Sequence, residues 1–338
     1  MIDDRALRQI GQRLSLRKPQ AESLKRLADV IDLTDPSKDT DVAAALEAVR
    51  AAYPDVEDFE RDFPSLCFAL ATGVGKTRLM GAFVSSLFMT GRSRNFFVLA
   101  PNLTIYEKLL ADFQPSSPKY VFKGVEAFAH QPPLIVNADN YEEGRGVRGA
   151  DLLGREAAII NIFNISKINS EVRGGKSPRI KRLQEYIGES YFSYLAGLPD
   201  LVLLMDEAHR YRASAGAKAI SELKPILGLE VTATPKAVGG SASAFRNVIY
   251  RYDLPDAMED GYVKEPAVGT RANFDPKSVG DDMLERIKLE DGVHYHEHVK
   301  VALLTYAKQN AVPVVHPFML VVTQDTNHAR QVREFVES

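Results

Sequence analysis

The chain has 338 residues, of which 45% are hydrophobic and 26% charged, and its formal net charge is -3. Length and composition indicate a globular protein large enough for two domains, and the slightly acidic balance excludes a protein that binds nucleic acid through an overall basic surface. The single cysteine, Cys67, excludes an internal disulfide and a thiolate metal cluster, as expected in a reducing cytoplasm.

The amino-terminal region is charged and helical in pattern. Apolar residues recur at helical spacing from Ala6 to Leu33 with an interruption at Pro19, and a second helical stretch covers residues 42–53. A signal peptide and an apolar run of about 20 residues, the length that spans a bilayer, are both missing from this pattern. We therefore expect a cytoplasmic protein without a membrane partner, whose residues 1–63 form an N-terminal helical region.

From Ser65 the pattern changes to short apolar runs that alternate with helical segments. The runs are SLCFAL, NFFVLAP, AAIINIFNI, LVLLMDEA and LGLEVTAT, and the predicted helices are Thr77–Thr90, Leu103–Phe113 and Lys181–Leu195. Such runs are typical of parallel strands buried on both faces, although any single run could belong to a buried helix. The prediction is an α/β domain over residues 64–255 with a parallel sheet covered by helices on both faces, and with an insertion at about 114–156 where turn signals dominate.

The remaining residues are predicted to connect this domain to another. Residues 250–268 have the composition of an extended connector, a helix is predicted from Val299 to Lys308, and a strand, a turn and the start of a helix follow up to Ser338. We assign 256–312 to a connector with a helix and 313–338 to the beginning of a second α/β domain. On this interpretation the chain is the amino-terminal part of a longer protein.

Three histidines at alternate positions, His294, His296 and His298, would share one face of a strand. No spaced cysteine or carboxylate cluster accompanies them, so we predict a structural or solvent-facing role and no metal site.

The stretch ATGVGKT has the order of a phosphate-binding loop, in which a strand leads into a Gly-rich turn and then a helix. Gly73 and Gly75 allow the backbone to curl around an anion, Lys76 can reach the β- and γ-phosphates, and the Thr77 hydroxyl can bind Mg²⁺. The usual pattern has a glycine where Leu70 stands, and the alternative is a Gly-rich turn that arose by chance.

An acidic pair at the end of another apolar run would complete this site. Asp206 and Glu207 follow LVLLM, at the carboxyl edge where ligands of open α/β sheets bind. Asp206 would hold Mg²⁺ and Glu207 would orient and activate the attacking water. The alternative is an exposed acidic pair without a ligand.

The segments ATGVGKT, DEAH and TATP, in this order, resemble motifs I, II and III of superfamily-two helicases and translocases. In that superfamily the loop is commonly Ala/Gly-x-Thr-Gly-x-Gly-Lys-Thr, so no glycine is needed at position 70. LRKPQ resembles the motif that contacts adenine, VLAPNLTIYEKL resembles motif Ia, and FNISKINS stands where the next backbone-binding motif belongs. DEAHRYRA and LGLEVTATPK are most similar to the restriction (Res) subunit of type III restriction enzymes.

The resemblance implies a RecA-like fold with the start of a second RecA-like domain, and ATP and Mg²⁺ as cofactors. The residues that it and the patterns above select are, for the nucleotide, Arg17, Gln20, Thr72, Gly73, Val74, Gly75, Lys76 and Thr77; for catalysis, Lys76, Asp206, Glu207 and His209; for the metal, Thr77 and Asp206; for coupling, Thr232, Ala233 and Thr234; and for nucleic acid, Pro101, Asn102, Thr104, Asn164, Ser166 and Lys167.

Contacts from these polar residues to the nucleic-acid backbone would be largely independent of base sequence. The basic segment RGGKSPRIKR, residues 173–182, would either follow phosphates or form a solvated loop and helix start.

The predicted function is an ATP-dependent DNA translocase or helicase motor of a restriction-modification or related DNA-defence enzyme, with a methyltransferase or specificity subunit as the implied partner. The alternatives are an ATP-gated nucleic-acid clamp that does not translocate and an RNA-directed helicase. Since the resemblance places the arginine finger in the second motor domain, we expect this chain alone to bind ATP but to hydrolyse it weakly.

Overall fold

The structure is a computed structural model, and it describes residues 4–141, 157–164, 191–211, 214–236, 244–265 and 267–337. The chain divides into two compact units at the bond between Glu265 and Pro266. Among the described residues, no helix combines the length and the apolar character needed to cross a membrane.

In the first unit, three helices precede a region in which strands and helices mostly alternate. The helices are α1 Asp4–Arg13, α2 Lys18–Thr34, α3 Val42–Ala52, α4 Lys76–Met89, α5 Leu103–Asp112, α6 Glu126–His130, α7 Tyr191–Gly197, α8 Ser214–Glu222 and α9 Leu254–Glu259. The strands are β1 Ser65–Leu70, β2 Asn95–Ala100, β3 Leu134–Asn137, β4 Ile159–Asn164, β5 Leu201–Asp206, β6 Leu227–Thr232 and β7 Val248–Tyr252. A short 3-10 helix, Ala208–Tyr211, follows β5.

These strands form one sheet in the order β3-β4-β2-β5-β6-β1-β7, and every pairing between neighbours is parallel. The five apolar runs of the sequence are β1, β2, β4, β5 and β6, and every residue of β1, β4, β5 and β6 is buried. The predicted α/β fold, a RecA-like parallel sheet between helices, is confirmed.

Two cores lie on opposite faces of the sheet, because successive side chains of a strand point to opposite sides. In β1, Leu66, Phe68 and Leu70 belong to the core that contains α2, α4 and α5, whereas Cys67 and Ala69 belong to the core that contains α7 and α8. Cys67 is a buried core residue.

The strand order decides which loops meet. β6 lies between β1 and β5, and all three run in the same direction. Their carboxyl ends therefore share one edge of the sheet. The three motifs that resemble helicase motifs I, II and III follow β1, β5 and β6, so the topology brings them together.

The described residues of 250–268, which leave out 266, do not form the extended connector that the sequence predicted. They include the end of β7 and all of α9, which begins after Asp253 with Pro255 in its first turn. Proline fits the first turn of a helix because the N–H that it lacks has no partner there. The composition that indicated a connector thus reflects an edge strand followed by a helix start.

The second unit contains a helix that is much longer than predicted. α10 covers Asp281–Asn310, 30 residues rather than Val299–Lys308, and the short 3-10 helix Pro276–Ser278 precedes it. Acidic Asp281 and Asp282 suit its N-terminus, where the helix dipole is positive. The three histidines lie on this helix, not on a strand, and no metal-binding group of His, Cys, Asp or Glu occurs among the residues that the structure describes.

The predicted helix near the carboxyl end is present as α11, Thr326–Glu337. His328 of α11 lies 2.5 Å from the Glu285 carboxylate of α10. The strand predicted from residue 313 is not formed: residues 312–323 have no regular secondary structure, and Phe318 is 87% exposed. A strand needs a neighbour to bond its backbone groups, and within the described ranges no strand pairs with this segment.

Candidate nucleotide site

The backbone of the phosphate loop depends on two glycines. β1 ends at Leu70 and α4 begins at Lys76, and between them Gly73 and Gly75 have φ angles of +88° and +99°. These values lie in the left-handed region that glycine adopts without strain. A Cβ on Gly75 would also come within 2.7 Å of Gln20 Nε2. Leu70 is a fully buried strand residue, so its position calls for a core side chain rather than a glycine.

The segment that resembles the adenine-contacting motif is joined to this loop by two hydrogen bonds, and a third lies within the segment. Gln20 Nε2 donates to the Gly75 carbonyl at 2.8 Å, and Gln20 Oε1 accepts from the Arg17 backbone N–H at 2.8 Å. Arg17 Nη1 donates to the Gly73 carbonyl at 2.7 Å. Pro19, which the sequence pattern marked as an interruption, lies in the first turn of α2 and fixes where this helix begins.

Lys76 and the acidic pair are neighbours. Lys76 Nζ lies 3.2 Å from Glu207 Oε1, and the side chains are 11% and 23% exposed. Asp206 is the last residue of β5, and its Oδ1 accepts from the Glu207 backbone N–H at 3.1 Å. Glu207 has a φ of +51°, an uncommon value for a residue other than glycine and one that is often found at functional sites.

The Asp206 carboxyl carries a charge that its surroundings do not fully compensate. Burial, followed by the nearby Glu207 charge, raises the pKa of Asp206 to about 6, although Lys76 acts in the opposite direction. A buried carboxylate of this kind suits a hard divalent cation, since oxygen ligands are what Mg²⁺ prefers. The residues present therefore fit magnesium, with Asp206 and the Thr77 hydroxyl, in the first turn of α4, as the groups that would hold it.

The histidine of the acidic motif connects β5 to β6. His209 Nδ1 lies 3.0 Å from Thr232 Oγ1, 3.4 Å from Thr234 Oγ1 and 3.5 Å from Glu207 Oε2. Burial lowers the pKa of His209 despite the neighbouring Glu207 charge, which favours the neutral ring at pH 7. The backbone N–H of Thr234 donates to Thr232 Oγ1 at 3.1 Å. A continuous series of polar contacts thus runs from Lys76 to the end of β6.

The remaining loop and coupling residues sit around these contacts. Thr72 and Gly73 are exposed at the turn, Val74 is fully buried beneath it, and Ala233 is half-buried between the two threonines. The structure shows where these residues lie, and their predicted roles with ATP stay predictions.

The predicted nucleic-acid residues follow β2 and β4. Asn102 is the N-cap of α5, where its side chain accepts from the Ile105 backbone N–H at 2.9 Å. Pro101 is buried, Thr104 is exposed, and Asn164 is 4% exposed at the end of β4. Ser166, Lys167 and the basic segment 173–182 lie outside the described residues. The nucleic-acid contacts also stay predictions.

The sequence did not single out three features of this region. Tyr262 and Val263, after α9, lie against the phosphate loop, with the Arg17 guanidinium carbon 4.7 Å from the centre of the Tyr262 ring. The Tyr211 hydroxyl, just after the acidic motif, is buried without a hydrogen-bond partner in the part of the chain that the structure describes. Burial and the charges of Asp206 and Glu207 raise its pKa. No spacing rule places Tyr262 and Val263, because their position depends on packing between distant segments.

The third feature is a buried ion pair that supports β6, the strand between β1 and β5. Arg61 Nε donates to Glu230 Oε1 at 3.0 Å, and the two side chains are 3% and 0% exposed. Ser65 Oγ donates to the same carboxylate oxygen at 3.0 Å. Since Glu230 is in β6 and Ser65 begins β1, the pair ties β6 to β1 and to the segment before it. The sequence signal for this pair was the charged residue Glu230 inside the apolar run LGLEVTAT.

A match to a protein-family model agrees with the placement of the three motifs. The family model described as "Type III restriction enzyme, res subunit" matches residues 13–237, which is more than half of the chain. A search among curated proteins gives no match.

Solved structures with a similar fold include three at low sequence identity. The DNA-bound type ISP restriction-modification enzyme LlaBIII has 13% identity and a TM-score of 0.43, with 73% of this chain and 15% of that one covered. The Sulfolobus solfataricus SWI2/SNF2 ATPase core with double-stranded DNA has 15% identity, a TM-score of 0.34 and coverages of 65% and 32%.

The Pyrococcus furiosus Hef helicase domain has 15% identity and a TM-score of 0.36, with 82% of this chain and 50% of that one covered. The chain thus spans at most half the length of these three structures. On the family match and the motifs placed above, the chain belongs to the res-subunit family of type III restriction enzymes, within the superfamily-two helicases.

Proposed function

We propose that this chain is the nucleotide-binding half of an ATP-driven DNA motor, in which ATP hydrolysis powers movement along DNA for a restriction-modification or related DNA-defence enzyme. One observation carries the proposal: the 3.2 Å contact between Lys76 and Glu207, which brings a phosphate-binding lysine and a candidate catalytic carboxylate to one point. The proposal that the motor moves along DNA rests on membership of a restriction-enzyme family.

The triphosphate would bind at the N-terminus of α4. Backbone N–H groups of the loop and the positive end of the helix dipole favour an anion there. Lys76 is paired with Glu207 in this structure. A γ-phosphate would compete for the lysine and leave Glu207 free to accept a hydrogen bond from the attacking water. The ion pair thus holds both groups in position until the nucleotide arrives.

Magnesium would bind at Asp206 and Thr77. When bound, it would neutralise charge on the β- and γ-phosphates. The protein's contribution is to hold a buried carboxylate at the end of β5 and a hydroxyl in the first turn of α4. The raised pKa of Asp206 supports this role, because a cation would recover the free energy that burial of the charge costs.

The nucleobase would bind beside Gln20 and Arg17. Both side chains already donate to carbonyls of the phosphate loop. A base that contacts them would therefore also affect the position of the loop that binds the phosphates. A buried amide that can both donate and accept suits the adenine edge, which presents an amino group next to a ring nitrogen.

The coupling of ATP to DNA movement would pass through His209. Its ring contacts Glu207 on one side and the hydroxyls of Thr232 and Thr234 on the other. A change in the position of Glu207 on hydrolysis would therefore alter hydrogen bonds at the end of β6. We assign Thr232–Thr234 the role of passing this change on.

The test is ATP hydrolysis by the full-length enzyme with and without DNA, in the wild type and in Glu207→Gln. We expect DNA to stimulate the wild type and the variant to lose turnover by about 100-fold or more while it still binds ATP. Turnover in Glu207→Gln equal to that of the wild type would favour the clamp, which needs no catalytic base. Stronger stimulation by RNA than by DNA would favour the RNA-directed helicase.

A further inference from the structure

The segment after α9 folds back onto the phosphate loop. Backbone N–H groups of Tyr262 and Val263 both donate to the Ala257 carbonyl, at 2.8 and 3.1 Å, which closes a turn through Gly261 at a φ of +70°. Val263 Cγ2 lies 3.3 Å from the point that a Cβ on Gly73 would occupy. Residues 261–263 therefore form one wall of the loop that is proposed to hold the triphosphate.

Tyr262 holds an arginine at this wall. The guanidinium carbon of Arg17 lies 4.7 Å from the centre of the Tyr262 ring, a distance at which a cation is attracted to the ring face. The same guanidinium donates to the Gly73 carbonyl at 2.7 Å. Tyr262 is half-buried, and its ring centre is 6.5 Å from that of Tyr252 at the end of β7. The ring is thus anchored to the sheet on one side and contacts Arg17 on the other.

Arg26, on α2, is an arginine with a purely structural role, and it can be compared with Arg17. Arg26 lies over two aromatic rings, Tyr250 at 4.6 Å and Tyr53 at 5.5 Å. It also pairs with Glu22 at 3.0 Å and donates to the Ile249 carbonyl at 2.5 Å. All of these contacts of Arg26 are with other residues of the folded chain. Arg17, by contrast, is exposed and has one aromatic contact.

We propose that Tyr262 is the positioning residue for the nucleobase: it holds the Arg17 guanidinium beside the Gly73 carbonyl so that the exposed part of this group stacks on the adenine ring. The inference rests on the proposed function, because it assigns a role within the same ATP site. Guanidinium groups stack on aromatic faces, and their rigid plane loses little freedom when it is fixed in advance. Tyr262 acts through Arg17 and does not itself touch the phosphates.

This role predicts an effect that depends on the base. Without the ring, Arg17 would lose its support and the adenine would lose a stacking partner, but the loop N–H groups and Lys76 would still bind phosphate. Tyr262→Ala is therefore expected to weaken ATP binding by about 10-fold and to leave inorganic tripolyphosphate binding within about 2-fold. Tyr262→Phe keeps the ring and is expected to bind ATP within about 2-fold of the wild type.

The experiment measures dissociation constants for Mg-ATP and Mg-tripolyphosphate by calorimetry with the wild type, Tyr262→Ala and Tyr262→Phe. Tyr250→Ala serves as the matched control, because it removes the ring beside Arg26 and should leave ATP affinity within about 2-fold. Thermal unfolding of each variant checks that it is folded.

Loss of ATP affinity in Tyr262→Ala alone, with tripolyphosphate binding kept, supports the assignment. Unchanged ATP affinity in Tyr262→Ala overturns it, and so does an equal loss for both ligands, which would mean that Tyr262 only shapes the loop. A wild-type protein that binds neither ligand would instead refute the proposed function, and the inference with it. The two failures are therefore distinguishable.

Discussion

Two parts of the same sheet edge differ in what their polar side chains contact. After β1, β5 and β6, side chains contact one another across strands, as in the pairs Lys76 with Glu207 and His209 with Thr232. After β2, Asn102 bonds the backbone of its own helix. A site shared among strands must be assembled by the fold, whereas a residue that caps a helix is explained without any ligand. These contacts therefore support the proposed ATP site more strongly than the predicted nucleic-acid contacts.

The largest expected effect on stability is at the buried ion pair of Arg61 and Glu230. Arg61→Ala would remove the guanidinium that pairs with the buried Glu230 carboxylate, and we expect the free energy of unfolding to fall by about 3–5 kcal/mol. Urea unfolding followed by circular dichroism measures this difference. The matched control is Arg50→Ala, which breaks an exposed pair with Glu47 and should cost less than about 1 kcal/mol.

If Arg61→Ala cost no more than this control, the ion pair would not be what ties β6 to β1 and to the segment before it.

A gain in stability is expected when the buried charge of the site is removed. Because the pKa of Asp206 is raised to about 6, the folded protein holds this proton more tightly than the unfolded chain does. Ionised Asp206 therefore costs stability as the pH rises through about 4 to 6, and the cost is absent at lower pH. We expect Asp206→Asn without nucleotide to be more stable than the wild type by about 1–3 kcal/mol at pH 8.

The difference between Asp206→Asn and the wild type should disappear at about pH 4, where the wild-type carboxyl is protonated. Thermal unfolding across this pH range provides the measurement. A variant that is less stable than the wild type at pH 8 would show that Asp206 serves the fold and not a bound cation.

The smallest expected effects concern Asn102, which follows β2. Asn102→Ala removes the N-cap of α5 and should cost about 1 kcal/mol, whereas Asn102→Asp keeps the acceptor and the stability. If Asn102 also faces a phosphate, the Asp variant should bind DNA about 3- to 10-fold more weakly at low salt. DNA binding by Asn102→Asp equal to that of the wild type would leave Asn102 as a helix cap only.

The sequence predicted the parts of the fold that are buried on both sides. β1, β4, β5 and β6 are continuous apolar runs because a parallel strand between two helical layers has no solvent face. β7 was missed because it is an edge strand whose Arg251 is exposed. Edge strands do not need the continuous apolar pattern.

α10 was underestimated for a related reason. Of its 30 residues only Ile287, Leu289 and Ala307 are buried, so it has no apolar stripe that marks its full length. The three histidines and Gly292 further obscured a helical pattern in its middle. Where burial is slight, local sequence carries little information about where a helix begins.

At the candidate site, sequence was sufficient for residues whose spacing along the chain sets their geometry. Gly73, Gly75 and Lys76 belong to one strand-loop-helix unit, and this unit could be recognised from its order. The contact of Tyr262 with Arg17 joins residues far apart in the chain, and only the packing of the folded protein brings them together.

The affinity for Mg-ATP tests the proposed position of the triphosphate. If the triphosphate lies between Lys76 and the acidic pair, Lys76→Ala should bind ATP about 10- to 100-fold more weakly than the wild type, because a charge-assisted hydrogen bond is lost. Lys108→Ala removes another lysine whose charge reaches Asp206 and should change the affinity less than about 3-fold. Equal ATP affinity in the wild type and Lys76→Ala would contradict the proposal that the triphosphate lies between Lys76 and the acidic pair.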